Sequence, residues 1–368
     1  MARLNLEPTD RVIVKIGTAS LVGADGKPDE SRLSQICSQI ADLHSTGRRV
    51  ALVSSGAIAA GLGPLGITSR PGDIPSLQAA AAVGQGRLLE IYARLFGTRG
   101  HVVAQLLLTR YDFMHRQQYL NARNTLERLF DLGAIPIVNE NDTIAVDEIR
   151  FGDNDLLAAL VANLARAKLL LLLTDAGGLH SADPRRHPDA PVIDEVERIT
   201  PELERAAGGR GSDLASGGMA SKIAAAWVAT FSGVAVIVAD AADPNVLERV
   251  SSGEAVGTYF HPHATRASAR RLWIAFGQPP RGTIVVDDGA HLAVTERKSS
   301  LLPVGVVEVR GRFHSGDTVD VATRGGRVFA RGLVRYESQE LEQARGRSTA
   351  ELAGKEVIHR DQLIVLEA

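Results

Sequence analysis

From Asp10 to Arg249 the chain alternates short aliphatic runs with longer stretches in which apolar residues recur every three or four positions. Parallel strands joined by crossover helices produce that alternation. The spacing predicts strands over 12–16, 50–54, 101–106, 135–138, 168–173 and 234–238. Several of these are continuously aliphatic, Leu169 to Leu173 most plainly, as strands buried on both faces are. Helices are predicted over 31–43, 77–95, 118–130, 155–165 and 219–230, with Asp153 or Asn154 available as a cap for the fourth. The fold class is therefore α/β, a mainly parallel sheet between layers of helices.

The pattern changes at Gly277-Gln278-Pro279-Pro280-Arg281-Gly282, where two prolines and flanking glycines interrupt both helix and ladder. Beyond it come short β runs at 283–286, 305–309 and 317–321, separated by Gly, Asp and Ser turns. We expect a first domain over 1–276, a linker over 277–282 and a small β-rich domain over 283–368. Within the first, the glycine-rich 207–219 and proline-rich 180–191 read as surface loops.

Composition narrows the class. A chain of 368 residues, 45% hydrophobic, suits two domains with a sizeable core. Its longest aliphatic run falls far short of the roughly 20 apolar residues of a membrane-spanning helix. The start, MARLNLEPTDRVIVKIG, lacks the pattern of a secretion signal. Cys37 is the only cysteine, which excludes an intrachain disulfide or a thiolate cluster, and the expected compartment is the reducing cytosol. A net charge of −2 gives no global attraction to nucleic acid or anionic lipid.

Candidate chemistry gathers where predicted strands end, the edge at which open parallel sheets bind ligands. Lys15 closes the first strand before Gly17-Thr18. Ser54-Ser55-Gly56 ends the second and enters a helix, a place for an anion or for a simple serine cap. Asn139-Glu140-Asn141-Asp142 and Phe151-Gly152-Asp153-Asn154-Asp155 concentrate carboxylates and amides suited to an amino acid's ammonium and carboxylate, to lysines or to magnesium, although turns and caps use the same residues. Thr174-Asp175-Ala176-Gly177-Gly178 follows a strand, and Ser216-Gly217-Gly218-Met219-Ala220-Ser221-Lys222 joins exposed amides to a lysine near a helix start. Neither has the Walker A spacing, and no G-x-G-x-x-G follows the first strand.

The segments VKIGTAS, SSGAIAAG, AAVGQGRL, NARNTL, IVNENDTIA, FGDNDLLAA, LLLTDAGGLHSADPR and SGGMASK, in this order, resemble the glutamate 5-kinases of the amino acid kinase family over about 10–260. The segments TIVVDDGA and RKSSLLPVGV resemble the PUA domain that such enzymes carry. The resemblance implies ATP-dependent phosphorylation of the L-glutamate side chain with Mg2+, at the head of proline synthesis, with proline as feedback inhibitor and a dimeric or tetrameric assembly. It implies that Lys15 and Lys222 hold ATP phosphates and that Asp155 organises both lysines. Ser55, Gly56, Asn139, Asp142 and Asn154 match glutamate-binding positions. Thr174, Asp175 and the loop Ser216, Gly217, Gly218, Met219, Ala220, Ser221, Lys222 match nucleotide-binding ones, Ser216 standing where the family would have threonine. The metal ligands remain unassigned.

Two further readings stay open. PUA domains occur in RNA-modifying proteins, but Arg324, Arg327, Arg331 and Arg335 are balanced by Asp287, Asp288, Glu308 and Asp317, so RNA binding is not expected. The same sheet also serves kinases of other acids, such as carbamate or acetylglutamate. His180 and His187 lack metal-ligand spacing and read as solvated loop residues.

Overall fold

The computed structural model describes residues 4–23, 28–145, 154–182, 187, 189–200, 203, 218–263, 280–352 and 354–366. The chain forms two compact units, Met1–Arg266 and Ala267–Ala368. Residues 277–279 of the expected linker lie outside the described residues; Gly282, read as its last residue, opens a strand.

The first unit holds an eight-stranded sheet in the order β3-β4-β2-β1-β5-β7-β8-β6. Its strands are β1 (Arg11–Ile16), β2 (Arg49–Val53), β3 (Val103–Leu108), β4 (Ile135–Glu140), β5 (Leu169–Thr174), β6 (Glu195–Val196), β7 (Ala235–Asp240) and β8 (Thr258–Phe260). All neighbours from β3 to β7 are parallel, and β8 turns antiparallel against β7. The edge strand β6 and its neighbour β8 escaped the sequence pattern because runs this short carry no periodicity. The helices are α1 (Thr18–Leu21), α2 (Glu30–Ser45), α3 (Ala57–Leu62), α4 (Ile74–Gly97), α5 (Arg110–Met114), α6 (Arg116–Asp131), α7 (Asp155–Leu164), α8 (Met219–Phe231) and α9 (Val246–Ser251). None of the described helices is long and apolar enough to cross a membrane.

Alternation along the strands assigns each side chain to a layer. Val12, Val14 and Ile16 of β1, Val50 and Leu52 of β2, and Ile135 and Ile137 of β4 pack in one cluster with Leu33, Ile36 and Ile40 of α2, Leu88, Tyr92 and Phe96 of α4, and Val246, Leu247 and Val250 of α9. Lys15, of opposite parity on β1, therefore projects from the other face, where α7 packs against β1. Two residues beyond Leu52 and Ile137, Ser54 and Asn139 keep their parity and so lie on the face of α4.

Helices α3 and α4 cross with almost no room between backbones. A Cβ built on Gly84 would stand 1.8 Å from the Ala57 carbonyl oxygen, and one on Gly61 equally close to that of Ala80. Because both obstacles are main chain, no rotamer change relieves them. Gly84→Ala should destabilise the first unit by about 3 kcal/mol, as severe overpacking does, read as a lowered urea midpoint; an unshifted midpoint contradicts this crossing.

The second unit is a five-stranded sheet, β10-β9-β11-β12-β13, built from β9 (Gly282–Val286), β10 (Val306–Gly311), β11 (Thr318–Thr323), β12 (Val328–Leu333) and β13 (Leu363–Val365). Only β9 and β11 pair in parallel. Its core comprises Ile284, Val286, Val319, Val321, Phe329 and Leu341, the last from helix α11 (Ser338–Ala344), which follows α10 (Asp288–Thr295). The segment 305–309 is displaced by one residue from expectation, because Gly305 closes a 3-10 turn before β10 begins.

Candidate active site

The order in which strands are added to the sheet reverses about β1: β2 lies on one side and β5 on the other, each paired to it in parallel. Such a switch leaves a crevice at the carboxyl ends of the strands. Here Lys15 approaches Asp155, the first residue of α7, with its Nζ 2.5 Å from Oδ1. From α8, Lys222 places its Nζ 3.1 Å from Oδ2 of the same carboxylate. The Ser221 hydroxyl sits between that Oδ2 (3.0 Å) and the Gly218 carbonyl (2.7 Å). Asp155 is 0% exposed, Lys15 2% and Lys222 6%, so water screens the cluster little. Among the described residues, two ammonium groups thus converge on one carboxylate, and ammonium groups so placed suit an anion.

Beside this cluster, the amides form a chain of hydrogen bonds. Asn154 Nδ2 donates to the Ser54 carbonyl and to Asn139 Oδ1, both at 2.6 Å. Asn139 Oδ1 also accepts from the Glu140 amide at 2.9 Å. Asn154 occupies the N-cap position of α7 yet makes no side-chain cap bond, so the helix-cap role open to it in the sequence is not the one it plays. Ser55 is buried, and its Oγ has no hydrogen-bond partner among the described residues. An orphaned hydroxyl at a strand end is a group that a ligand would satisfy. Gly56 follows at φ 87°, a left-handed turn that favours glycine, and leads into α3.

Half-buried Asp142 lies just past β4, and loss of hydration raises its carboxyl to about 6 against the opposing charge of Arg70. Thr174 ends β5 with its Oγ1 3.2 Å from Asp175 Oδ1. Gly218 is the N-cap of α8 without a side-chain cap bond, which leaves the first amides, those of Met219 and Ala220 among them, for a phosphate or water. Ser216 and Gly217 lie outside the described residues, as do Gly152 and Asp153. No group of three or more His, Cys, Asp or Glu among the described residues could hold a metal ion, and both Asp155 oxygens already face ammonium groups. The described residues do not form a magnesium cage.

Three supporting residues carried no distinctive sequence signal. Gln85 and Tyr92 of α4 reach the site from behind: Asn139 Nδ2 donates to Gln85 Oε1 at 2.6 Å, and Tyr92 Oη lies 2.8 Å from Ser54 Oγ. A glutamine on an amphipathic helix reads as a solvated one. His180, expected to be solvated, instead braces the segment after β5: its ring nitrogens lie 2.8 Å from the Ala176 carbonyl and 2.7 Å from that of Ala190. It is half-buried, whereas His187 is exposed as expected.

Residues 10–240 match the amino acid kinase family and residues 282–354 the PUA domain. The glutamate 5-kinase of Caldanaerobacter subterraneus subsp. tengcongensis is 46% identical, with 97% of this chain and 98% of that one covered. That of Geobacter sp. strain M21 is 47% identical over 98% and 99%. A solved UMP kinase from Bacillus anthracis superposes with a TM-score of 0.49 at 18% identity, over 70% of this chain and 98% of that one. Sequence likeness over nearly the full length, together with the matches to both domains, places the chain in the amino acid kinase family, among the glutamate 5-kinases that carry a PUA domain.

Proposed function

We propose that this phosphotransferase moves the γ-phosphoryl group of ATP, bound with Mg2+, to the side-chain carboxylate of L-glutamate, giving L-glutamyl 5-phosphate for proline synthesis. The observation that carries the reading is the convergence of Lys15 and Lys222 on Asp155, next to the Ser55–Asn139–Asn154 pocket. A carboxylate oxygen attacks the γ-phosphorus, a new P–O bond forms, and the bond to the bridging oxygen breaks with its electron pair leaving on ADP. The nucleophile is already ionised, so no general base is required, and catalysis reduces to positioning and charge neutralisation. Lys15 and Lys222 offset repulsion between the two anions, while Asp155 holds both ammonium groups in place. The amides of Gly218, Met219, Ala220 and Ser221, with Thr174 and Asp175, contact the nucleotide. Ser55, Gly56 and Asn139 line the acceptor pocket. Asp142 and Asn154 take the glutamate ammonium. Magnesium would enter on the nucleotide's phosphate oxygens. An acceptor screen for ADP release, with glutamate, carbamate and acetylglutamate compared, tests the assignment; preference for another acid defeats it.

The raised Asp142 carboxyl has a pH consequence. Glutamate KM should increase as pH falls through about 6, because protonation removes the charge that attracts the ammonium. Its contribution to folding runs the other way: the folded state holds this proton more tightly, so stability from this group is present at low pH and lost as pH rises through about 6. Asp142→Asn should show a high glutamate KM with little pH dependence in steady-state kinetics. Equal rates at low glutamate for variant and parent would remove Asp142 from the pocket.

Proline, sharing glutamate's ammonium and α-carboxylate, is proposed as an inhibitor that overlaps the same pocket. Undiminished simultaneous binding of proline and labelled glutamate would reject overlap. We further propose a homo-oligomer through the kinase unit, supported by the exposed Val102, Leu107 and Tyr111 on or beside edge strand β3; sedimentation reads its size.

A further inference from the structure

We infer that Gln85 is a positioning residue that sets the donor and acceptor polarity of the glutamate pocket, an inference that rests on the function proposed above. An asparagine amide can be turned over with little change of shape, so the Asn139–Asn154 pair could present either polarity to a ligand. Two main-chain groups restrict the choice. The Glu140 amide can only donate, so it calls for Asn139 Oδ1; the Ser54 carbonyl can only accept, so it calls for Asn154 Nδ2. These two demands agree, because Asn139 Oδ1 then accepts from Asn154 Nδ2.

The agreed arrangement turns Asn139 Nδ2 toward α4. Asn139 is buried, and a buried donor left without an acceptor costs roughly 1–3 kcal/mol, which would offset much of what the two main-chain groups gain from this orientation. Gln85 Oε1 supplies that acceptor at 2.6 Å. With Gln85 in place, both hydrogens of Asn154 Nδ2 are used, and its Oδ1 has no partner among the described residues. That oxygen is an acceptor suited to an ammonium group. Were the pair reversed, Asn154 would offer an amino group there and repel one.

Helix α4 holds Gln85 firmly in register. The same helix carries Gly84 at the close crossing with α3 and Tyr92, two turns on, against Ser54. The ends of neighbouring strands β2 and β4 are thereby braced from one rigid element, and Ser54 N donates to the Val138 carbonyl between them at 2.9 Å.

The test compares kcat/KM for glutamate with that for glutarate, which lacks the ammonium group, in the full-length enzyme. Gln85→Met removes the acceptor; Gln85→Glu retains one. The expected result is a glutamate KM roughly tenfold higher in Gln85→Met, with ATP KM within about twofold of the parent and preference for glutamate over glutarate roughly tenfold lower. Gln85→Glu should keep the parent preference or exceed it, since its added charge repels the dianion glutarate more. Should Gln85→Met not fold, Gln85→Ala lacks the same acceptor and suits the helix. Parent-like preference in the acceptor-free variant, or equal loss in it and in Gln85→Glu, overturns the inference. If the parent enzyme itself ignores glutamate, the failure belongs to the proposed function instead.

Discussion

Lys222→Ala should lower kcat roughly 100- to 1,000-fold while leaving glutamate KM within about threefold, the size of effect seen when one preorganised donor to a reacting oxyanion is removed. The ammonium group of Lys222 is held by Asp155 at 3.1 Å and is buried with it. Its attraction matters most when carboxylate and γ-phosphoryl are driven together, so its loss falls on the barrier more than on glutamate binding. The fold should tolerate the change, because Asp155 keeps Lys15 and the Ser221 hydroxyl. Steady-state kinetics at saturating ATP and glutamate provide the check, and an unchanged kcat would exclude Lys222 from the mechanism.

Asp155→Asn should damage both stability and turnover. The carboxamide keeps the shape but removes the charge between two buried ammonium groups, and breaking a buried ionic arrangement from one side costs about 3–5 kcal/mol. For a unit of this size we expect Tm to fall by roughly 10 °C, with kcat reduced at least as far as in Lys222→Ala. Nucleotide phosphates would supply the missing negative charge, so MgATP should raise the variant's Tm more than the parent's. A parent-like Tm, or equal stabilisation of both proteins by MgATP, would show that Asp155 does not organise the lysines.

The contrast between these variants follows from where each residue sits, and the chain itself announced those places unevenly. Continuous aliphatic runs marked the central strands to within about two residues, since burial on both faces demands them. Helices α2, α4, α6, α7 and α8 matched their predicted spans closely for the parallel reason that an apolar stripe must meet the sheet. Strands β6 and β8, too short for a period, were not legible. Chemistry-bearing residues were recognisable at strand ends, but each permitted a plain alternative. Asn154 is the clearest case: in sequence it reads equally as a helix cap, and only its bonds to Ser54 and Asn139 remove that option.

The linear chain alone determined an α/β domain followed by a β-rich one, the strand ends that carry function, and membership of a kinase family, because hydrophobic period and local motif are properties of neighbouring residues. Tertiary structure decided that Lys15 and Lys222 share one carboxylate, that His180 braces a loop, and that Gln85 faces Asn139 from α4. The lysine and glutamine contacts join residues far apart in the chain, and the worth of all of them depends on burial, which only the packed layers create.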